Sequence, residues 1–328
     1  MAVLVVGGAG YIGSHMVRAL QKSSREVVVF DNLEKGHREA IAGVSLYEGD
    51  LRNKQDVKGV FEKYQIDAAM HFSAYSLVGE SMEKPELYYE NNLYGTLNLL
   101  TSLKDFGVRH FIFSSTAAIF GEPLKVPIDE QHPASPTNVY GETKLAVEKM
   151  LAWFDSIYGI KSVCLRYFNA AGADPAGDIG ELHARETHLI PLVLEAALGQ
   201  RQYISILGDD YDTRDGTCIR DYIHVNDLAD AHILALEYLV SGNGSDVFNL
   251  GNGNGYSVKE IIDVAQKVTG KEIPARTAGR RPGDPAVLIA GSEKACQVLG
   301  WHPKLYDITT SVETAWRWQS GRAREWKK

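Results

Sequence analysis

A short apolar run, Val3–Val6, stops in Gly7-Gly8-Ala9-Gly10-Tyr11-Ile12-Gly13 and passes directly into a helical pattern. A strand that ends in glycines and opens a helix aims backbone N–H groups, and the positive end of the helix, at one point in space. That arrangement fits a pyrophosphate. An acid, Asp31, closes the next apolar run 18 residues beyond Gly13, close to where a dinucleotide fold places the carboxylate that holds the adenosine ribose. A carboxylate there repels a 2′-phosphate, so the expected cofactor is NAD rather than NADP. The glycines are spaced G-x-x-G-x-x-G, with Gly7, Gly10 and Gly13 as the fixed points.

The first half of the chain alternates strand and helix patterns. Strands are predicted over Val3–Val6, Glu26–Phe30, Ser45–Glu48, Ala68–Phe72, His110–Ser114 and Ser162–Arg166, with helices over Gly13–Ser23, Lys54–Lys63, Leu87–Asp105 and Val139–Tyr158. Short apolar strands alternating with amphipathic helices predict an α/β fold with a doubly wound parallel sheet, covered on both faces. Ligands then belong at the carboxyl ends of the strands. From about Asn169 the pattern loosens into a Gly/Asp/Pro-rich loop, with helices expected over Leu189–Leu198, Val225–Val240 and Val258–Thr269 and a strand over Ile204–Leu207. This predicts a nucleotide-binding domain over 1–168 and a smaller mixed α/β substrate domain over 169–328, with some segments returning to the first. At 328 residues the chain is long enough for both.

A net charge of −8 argues against general attraction to nucleic acid or to acidic membranes. The three cysteines, Cys164, Cys218 and Cys296, are scattered and odd in number, which suits reduced thiols in the cytoplasm. The opening apolar run is too short for a signal peptide or a span. His183 and His188 lie five apart rather than i, i+4, and no metal is expected.

Tyr140 and Lys144 stand four apart at the start of a predicted helix, so both project from one face. A nearby ammonium, together with the positive ring of bound NAD⁺, favours a phenolate and makes a base of the tyrosine. The spacing alone carries no weight. Its context does: Ser114-Ser115-Thr116 ends the preceding strand, where Thr116 can bond the hydroxyl that Tyr140 deprotonates.

Taken in order, Gly7–Gly13 with Asp31, Ser114-Ser115-Thr116 and Tyr140-x₃-Lys144 resemble the extended short-chain dehydrogenase/reductases that act on nucleotide sugars, and among them the 4-epimerases. His71-Phe72-Ser73-Ala74, Arg166-Tyr167-Phe168-Asn169, Arg220-Asp221-Tyr222-Ile223-His224-Val225 and Arg280-Arg281-Pro282-Gly283-Asp284 extend the resemblance along nearly the whole chain. It implies a Rossmann domain holding NAD through Gly7, Gly10, Tyr11, Ile12, Asp31, Asn32, Asp50, Leu51, Phe72, Ser73, Ala74, Asn91 or Asn92, Lys144 and Tyr167. It implies a UDP-sugar substrate met by Thr116, Tyr140, Asn169, His188, Leu189, Leu207, Arg220, Tyr222, Arg281, Asp284 and Leu288. Two arginines can clamp a diphosphate, which an acidic protein needs for a dianionic ligand. The implied reaction interconverts UDP-galactose and UDP-glucose. The 4-hydroxyl is oxidised, the 4-keto sugar turns in its pocket, and hydride returns to the other face, so NAD is regenerated at each turnover. A homodimer paired through the helices Leu87–Asp105 and Val139–Tyr158 is also implied.

The chain departs from the pattern in places. Thr116 replaces a frequent serine, Ser76 a lysine of some members, and His188 an asparagine. Leu288 stands where some members have tyrosine, which raises the acceptance of a 2-N-acetyl group as a hypothesis. Other UDP-sugars (N-acetylhexosamines, pentoses, uronates) are therefore alternatives. Dehydration is disfavoured because Ala117 and Ala118, not carboxylates, follow Thr116. A non-catalytic NAD-binding regulator is the remaining contrast, and it would be expected to lack the tyrosine or lysine that are present.

Overall fold

A computed structural model of the chain describes residues 1–281, 283–321 and 323–326. Among these described residues, thirteen strands run in order as β1 (Ala2–Val6), β2 (Glu26–Asp31), β3 (Ser45–Glu48), β4 (Ala68–His71), β5 (His110–Thr116), β6 (Lys161–Tyr167), β7 (Asn169–Ala171), β8 (Ile204–Leu207), β9 (Ile219–His224), β10 (Asp246–Leu250), β11 (Gly255–Ser257), β12 (Ala275–Ala278) and β13 (Val287–Leu288). Seven of them form one parallel sheet in the order β10-β6-β5-β4-β1-β2-β3. The chain leaves β1 toward β2 on one side and resumes at β4 on the other. This strand-order reversal opens a crevice at the carboxyl ends of β1 and β4. The doubly wound sheet expected from the alternating pattern is present.

Alternation within each strand explains why both faces are covered. Val3 and Val5, Val27 and Val29, Met70, Ile112, Val163 and Leu165 pack on one face against Met16, Val17 and Leu20 of the helix Tyr11–Lys22 and against Leu228, Leu236 and Leu239 of the helix Val225–Val240. Leu4 and Val6, Val28 and Phe30, Ala69, Phe111 and Phe113 face the other way, onto Val57, Val60, Leu99, Leu103, Val147 and Leu151. Burial of each such side chain contributes roughly 1.5–3 kcal/mol, and a one-residue slip would exchange the two faces of a strand. The sheet register is fixed accordingly.

The helix Val225–Val240 and the strand β10 belong to this large layer, although they come from the second half of the chain. The remainder of that half carries a separate core of Ile190, Val193, Leu194, Ile206, Tyr222, Ile261, Ile308 and Val312. Here β9 is flanked by β11 and β13 and pairs at its far end with β7, while β8 pairs with β12. The predicted helix Leu87–Asp105 is realised as Pro85–Tyr88, a π-helical turn at Tyr89–Tyr94 and a regular helix Gly95–Asp105. No helix among the described residues is long and apolar enough to cross a membrane.

Candidate active site

Every motif singled out in the first half reaches the same edge of the sheet. Gly7 follows β1, Asp31 ends β2, Phe72–Ala74 follow β4, Thr116 ends β5 and Tyr167 ends β6. Gly7 has φ +77°, and a Cβ there would lie 2.5 Å from the Ser73 nitrogen. A Cβ on Gly13 would fall 2.1 Å from the Gly7 oxygen. Both glycines are thus demanded by the protein's own packing. Gly10 is different: it is extended at φ −78°, and a Cβ there meets nothing nearer than the Gly7 oxygen at 3.4 Å. It caps a helix with no side-chain cap and no acid in its first turn, so the N–H groups of that turn face an open cradle of positive potential. The cradle suits the diphosphate of a dinucleotide. The residues present fit NAD.

Asp31 is buried and accepts N–H bonds from Ala9 at 2.9 Å and Leu33 at 2.8 Å, while burial pushes its carboxyl upward. Asn32 donates to Asp50 at 3.0 Å, and Asp50 is gripped by Arg52 at 2.9 and 2.6 Å, which lowers it to about 2. Arg52 also reaches Glu34 at 3.3 Å, and Tyr75 donates to Glu34 at 2.7 Å. Arg52 and Glu34, which complete this network, were not singled out from the sequence. Leu51 is buried, its carbonyl accepting from Asn98 at 2.9 Å. Asn91 donates to Asn92, which ties both the N–H and the carbonyl of Tyr75 to Thr143 on the catalytic helix. Tyr11 spends its hydroxyl on the Gly172 carbonyl at 2.6 Å, which leaves its backbone N–H in the first turn for a ligand.

Asn138 caps the helix Val139–Tyr158 by accepting from the Gly141 N–H at 2.9 Å. A Cβ on Gly141 would lie 2.4 Å from the Ala118 oxygen, so this glycine allows the helix to sit against the Thr116 loop. This brings the Tyr140 phenol beside the Thr116 hydroxyl, which itself accepts from the Ala118 N–H at 3.1 Å. Burial raises the Tyr140 phenol, and the threonine hydroxyl pulls it partly back. Lys144 is buried and donates to the Ser114 carbonyl at 2.7 Å, with its ammonium 6.0 Å from the centre of the Tyr140 ring. Burial drops Lys144 to about 7. Near neutral pH the phenol therefore keeps its proton while the lysine stands between its two forms, and added charge in the pocket shifts both.

Below the pair lies a residue that sequence reasoning missed. Glu148 is one further turn along the same helix face. It accepts two bonds from Arg166, at 3.0 and 2.6 Å, and one from Ser115 at 2.5 Å. Both partners of this ion pair are nearly buried. Its charge also favours the protonated form of Lys144. Tyr167 hydrogen-bonds Ser114, so it supports the strand end that holds Lys144.

The nucleotide-sugar candidates gather on β7, β9 and β13. Asn169 pairs with Tyr222, and Leu288 with Arg220. Arg220 donates to Asp284 at 2.6 Å and Arg281 to the same carboxylate at 2.9 Å, so one acid holds two guanidinium groups side by side. Leu288 and Phe168 both pack against the cluster of Ala117, Ile119 and Phe120, joining this sheet to the Thr116 loop. Pro282 of the matched motif lies outside the described residues. Asp221 is fully buried and accepts from the N–H groups of Asn252, Gly253 and Ala290; burial lifts it to about 6. It organises the strand rather than facing a ligand. Leu189 opens the helix Leu189–Ala197, and Leu207 is exposed at the end of β8.

His188 closes the loop 181–188, just ahead of the helix Leu189–Ala197. Its imidazole turns onto Glu181, which raises it to about 9, and lies beside Glu186 and His183. The spacing argument against a metal applies to helices, whereas 181–188 is loop and brings the four side chains together.

A strand-order crevice with a phosphate cradle, a ribose carboxylate and a Thr–Tyr–Lys group at its floor defines a dinucleotide-dependent enzyme that moves hydride and proton at one carbon. Residues 3–251 match the model of the NAD dependent epimerase/dehydratase family, and the chain belongs to that family. It is 57% identical over 318 residues to a UDP-glucose 4-epimerase of Halalkalibacterium halodurans, covering 97% of this chain and 95% of that one. The crystal structure of a UDP-glucose 4-epimerase from Brucella ovis in complex with NAD superposes with a TM-score of 0.94 at 45% identity, covering 96% of this chain and 97% of that one. A UDP-glucose 4-epimerase from Bifidobacterium longum in complex with NAD⁺ and UDP gives a TM-score of 0.92 at 38% identity, over 98% of each chain.

Proposed function

We propose that this chain is an isomerase that interconverts UDP-galactose and UDP-glucose with NAD as its retained cofactor. The observation that carries this reading is the catalytic group itself, since Thr116, Tyr140 and Lys144 converge while Ala117 and Ala118 offer no carboxyl for eliminating water. Relatives at 57%, 54% and 53% identity carry the same activity in their names, and the other UDP-sugars weighed from the sequence are not favoured over this pair.

When bound, NAD supplies a reversible two-electron oxidation of C4. The chain's part begins with Gly10, Tyr11 and Ile12, whose helix turn receives the diphosphate, and Asp31 with Asn32, which face the adenosine ribose. Tyr140 takes the proton of the 4-hydroxyl and gives it back; Thr116 holds that oxygen by a hydrogen bond. Lys144 supplies positive charge that stabilises the phenolate once NAD⁺ is present. Arg220 and Arg281 hold the UDP diphosphate and exchange part of their hold on Asp284 for phosphate oxygens. A nucleotide clamped at its diphosphate leaves the hexose free to present either face.

The outer faces of the helices Gly95–Asp105 and Val139–Tyr158 expose Leu97, Trp153 and Ile157, with Trp153 68% exposed. Such a stripe supports a homodimer, which light scattering would register as twice the chain mass. Cys164, Cys218 and Cys296 are all unbonded, in keeping with a reducing compartment such as the cytoplasm. The functional test is incubation of UDP-galactose with the protein and no added reductant. Formation of UDP-glucose that is lost in Tyr140→Phe supports the reading; no conversion after NAD⁺ is supplied rejects it.

A further inference from the structure

Outside the catalytic group, the loop 181–188 brings two carboxylates and two imidazoles into one cluster. Glu181, His183, Glu186 and His188 each offer a ligand atom, and all four atoms lie within 4.8 Å of one another. His183 Nδ1 is 3.4 Å from Glu181 and 3.3 Å from the free oxygen of Glu186, and His188 Nδ1 hydrogen-bonds Glu181 directly. A tetrahedral ion with bonds of about 2.0–2.2 Å needs its ligand atoms about 3.3–3.6 Å apart. The His183 side of the cluster already has that size, and the directly bonded His188–Glu181 pair must part to admit an ion.

The surroundings meet the other requirements of a metal site. Glu181 and Glu186 have side chains only 6% and 7% exposed, so two carboxylates are held together out of water and need positive charge beside them, which a metal ion or the two imidazoles can supply. The second oxygen of Glu186 is committed to the N–H groups of Thr187 and His188, at 2.7 and 2.8 Å, which orients its free oxygen inward. The Glu181 backbone is fixed by Trp318, whose Nε1 donates to its carbonyl at 2.8 Å. Outer partners of this kind orient the ligands of metal sites. Glu181, His183 and Glu186 also line a pocket whose interior, about 10 Å³, takes one water-sized sphere. Gln319 lines the same pocket, and its buried Oε1 has no hydrogen-bond partner.

We propose that Glu181, His183, Glu186 and His188 form a binding site for one divalent transition ion, Zn²⁺ by the two-nitrogen, two-oxygen ligand set. With four protein ligands the coordination sphere is closed, so the ion is structural rather than catalytic. It ties the loop 181–188 immediately ahead of the helix Leu189–Ala197. Glu181 and Glu186 are near enough to Tyr11 to act on its phenol, so the clasp also abuts the first turn of the dinucleotide helix.

The test uses the full-length protein stripped with a chelator and then offered Zn²⁺ alone or Co²⁺ alone. One equivalent of Zn²⁺ per chain should bind in competition with a chromophoric chelator, and Co²⁺ should give the intense visible absorption of a tetrahedral site. Zn²⁺ should raise the melting temperature of the wild type. Glu186→Gln and His183→Gln, verified as folded by circular dichroism, should bind Zn²⁺ more than about 100-fold more weakly, beyond the loss caused by removing an outer partner. Absence of saturable binding by the wild type overturns the proposal, as does equal binding by the folded variants; the cluster is then a set of imidazolium–carboxylate pairs. Should a variant fail to fold, the wild-type Co²⁺ spectrum decides, and a weak octahedral band or none overturns the assignment.

Discussion

Gly10→Ala and Gly13→Ala make the same chemical change three residues apart, and the structure separates their consequences. At Gly10 the backbone has φ −78°, which alanine accepts, and the new methyl touches only the Gly7 oxygen at 3.4 Å. Removing glycine's freedom in the unfolded chain then stabilises by about 0.4–1 kcal/mol. For a chain of this size that is a rise of roughly 1 °C in melting temperature. At Gly13 the methyl falls 2.1 Å from the Gly7 oxygen and 2.8 Å from the Gly8 Cα, both backbone atoms that cannot swing aside. The cost is about 3 kcal/mol or more, a fall of at least roughly 4 °C. NAD should reverse the comparison for Gly10→Ala. Its methyl occupies the cradle and displaces charge-assisted hydrogen bonds worth about 1.5–3 kcal/mol, weakening NAD about 10–150-fold. Differential scanning fluorimetry on stripped protein, with and without NAD, reads both quantities. If Gly10→Ala keeps wild-type NAD affinity, the diphosphate does not lie against this turn. If it melts as low as Gly13→Ala, Gly10 serves the fold and not the cofactor.

Tyr140→Phe should lower kcat by about 10²–10⁴ with the KM for UDP-galactose changed only a few-fold, measured by initial rates on NAD-loaded enzyme. In stripped protein Lys144→Met should be most stabilising at or below pH 7. Folding lowers this lysine from 10.5 to about 7, so between those values the unfolded chain binds the extra proton and wild-type stability rises with pH. The advantage of the variant should therefore shrink by at most about 1.4 kcal/mol per pH unit across that window, as followed by melting against pH. Glu148→Gln strands the buried Arg166 and should cost about 3 kcal/mol, seen in chemical denaturation. Most of that loss should return in Glu148→Leu/Arg166→Met, which removes both charges.

Much of this molecule was legible in the sequence because its first half is repetitive in physical terms. Apolar runs of four to seven residues alternate with helical patterns, and the helix Val139–Tyr158 and strand Ser45–Glu48 fall where periodicity puts them. The second half hides its strands. Ile219–His224 carries Arg220, Asp221 and His224, polar side chains buried by partners distant in sequence, so it does not read as apolar alternation. Asp246–Leu250 joins the large sheet from a Gly/Asn-rich setting that reads as loop. At the site, Gly7, Gly10 and Gly13 declare themselves by local spacing, and Tyr140 and Lys144 by their place after the strand that ends in Thr116. Glu148 and Arg52 do not, because each looks like a solvated polar residue until the fold supplies its partner. The grouping of Glu181, His183, Glu186 and His188 was not legible for a related reason: helical spacing says nothing about side chains carried on irregular backbone.

The central claim is that hydride leaves C4 and returns to it without exchanging with water. Proton NMR of UDP-galactose turned over in D₂O by NAD-loaded enzyme tests it directly. The UDP-glucose formed should retain its C4 hydrogen in full, with the reaction proceeding on enzyme-bound NAD and no added reductant. Deuterium at C4 of the product would contradict the account, as would UDP-galactose that remains unchanged.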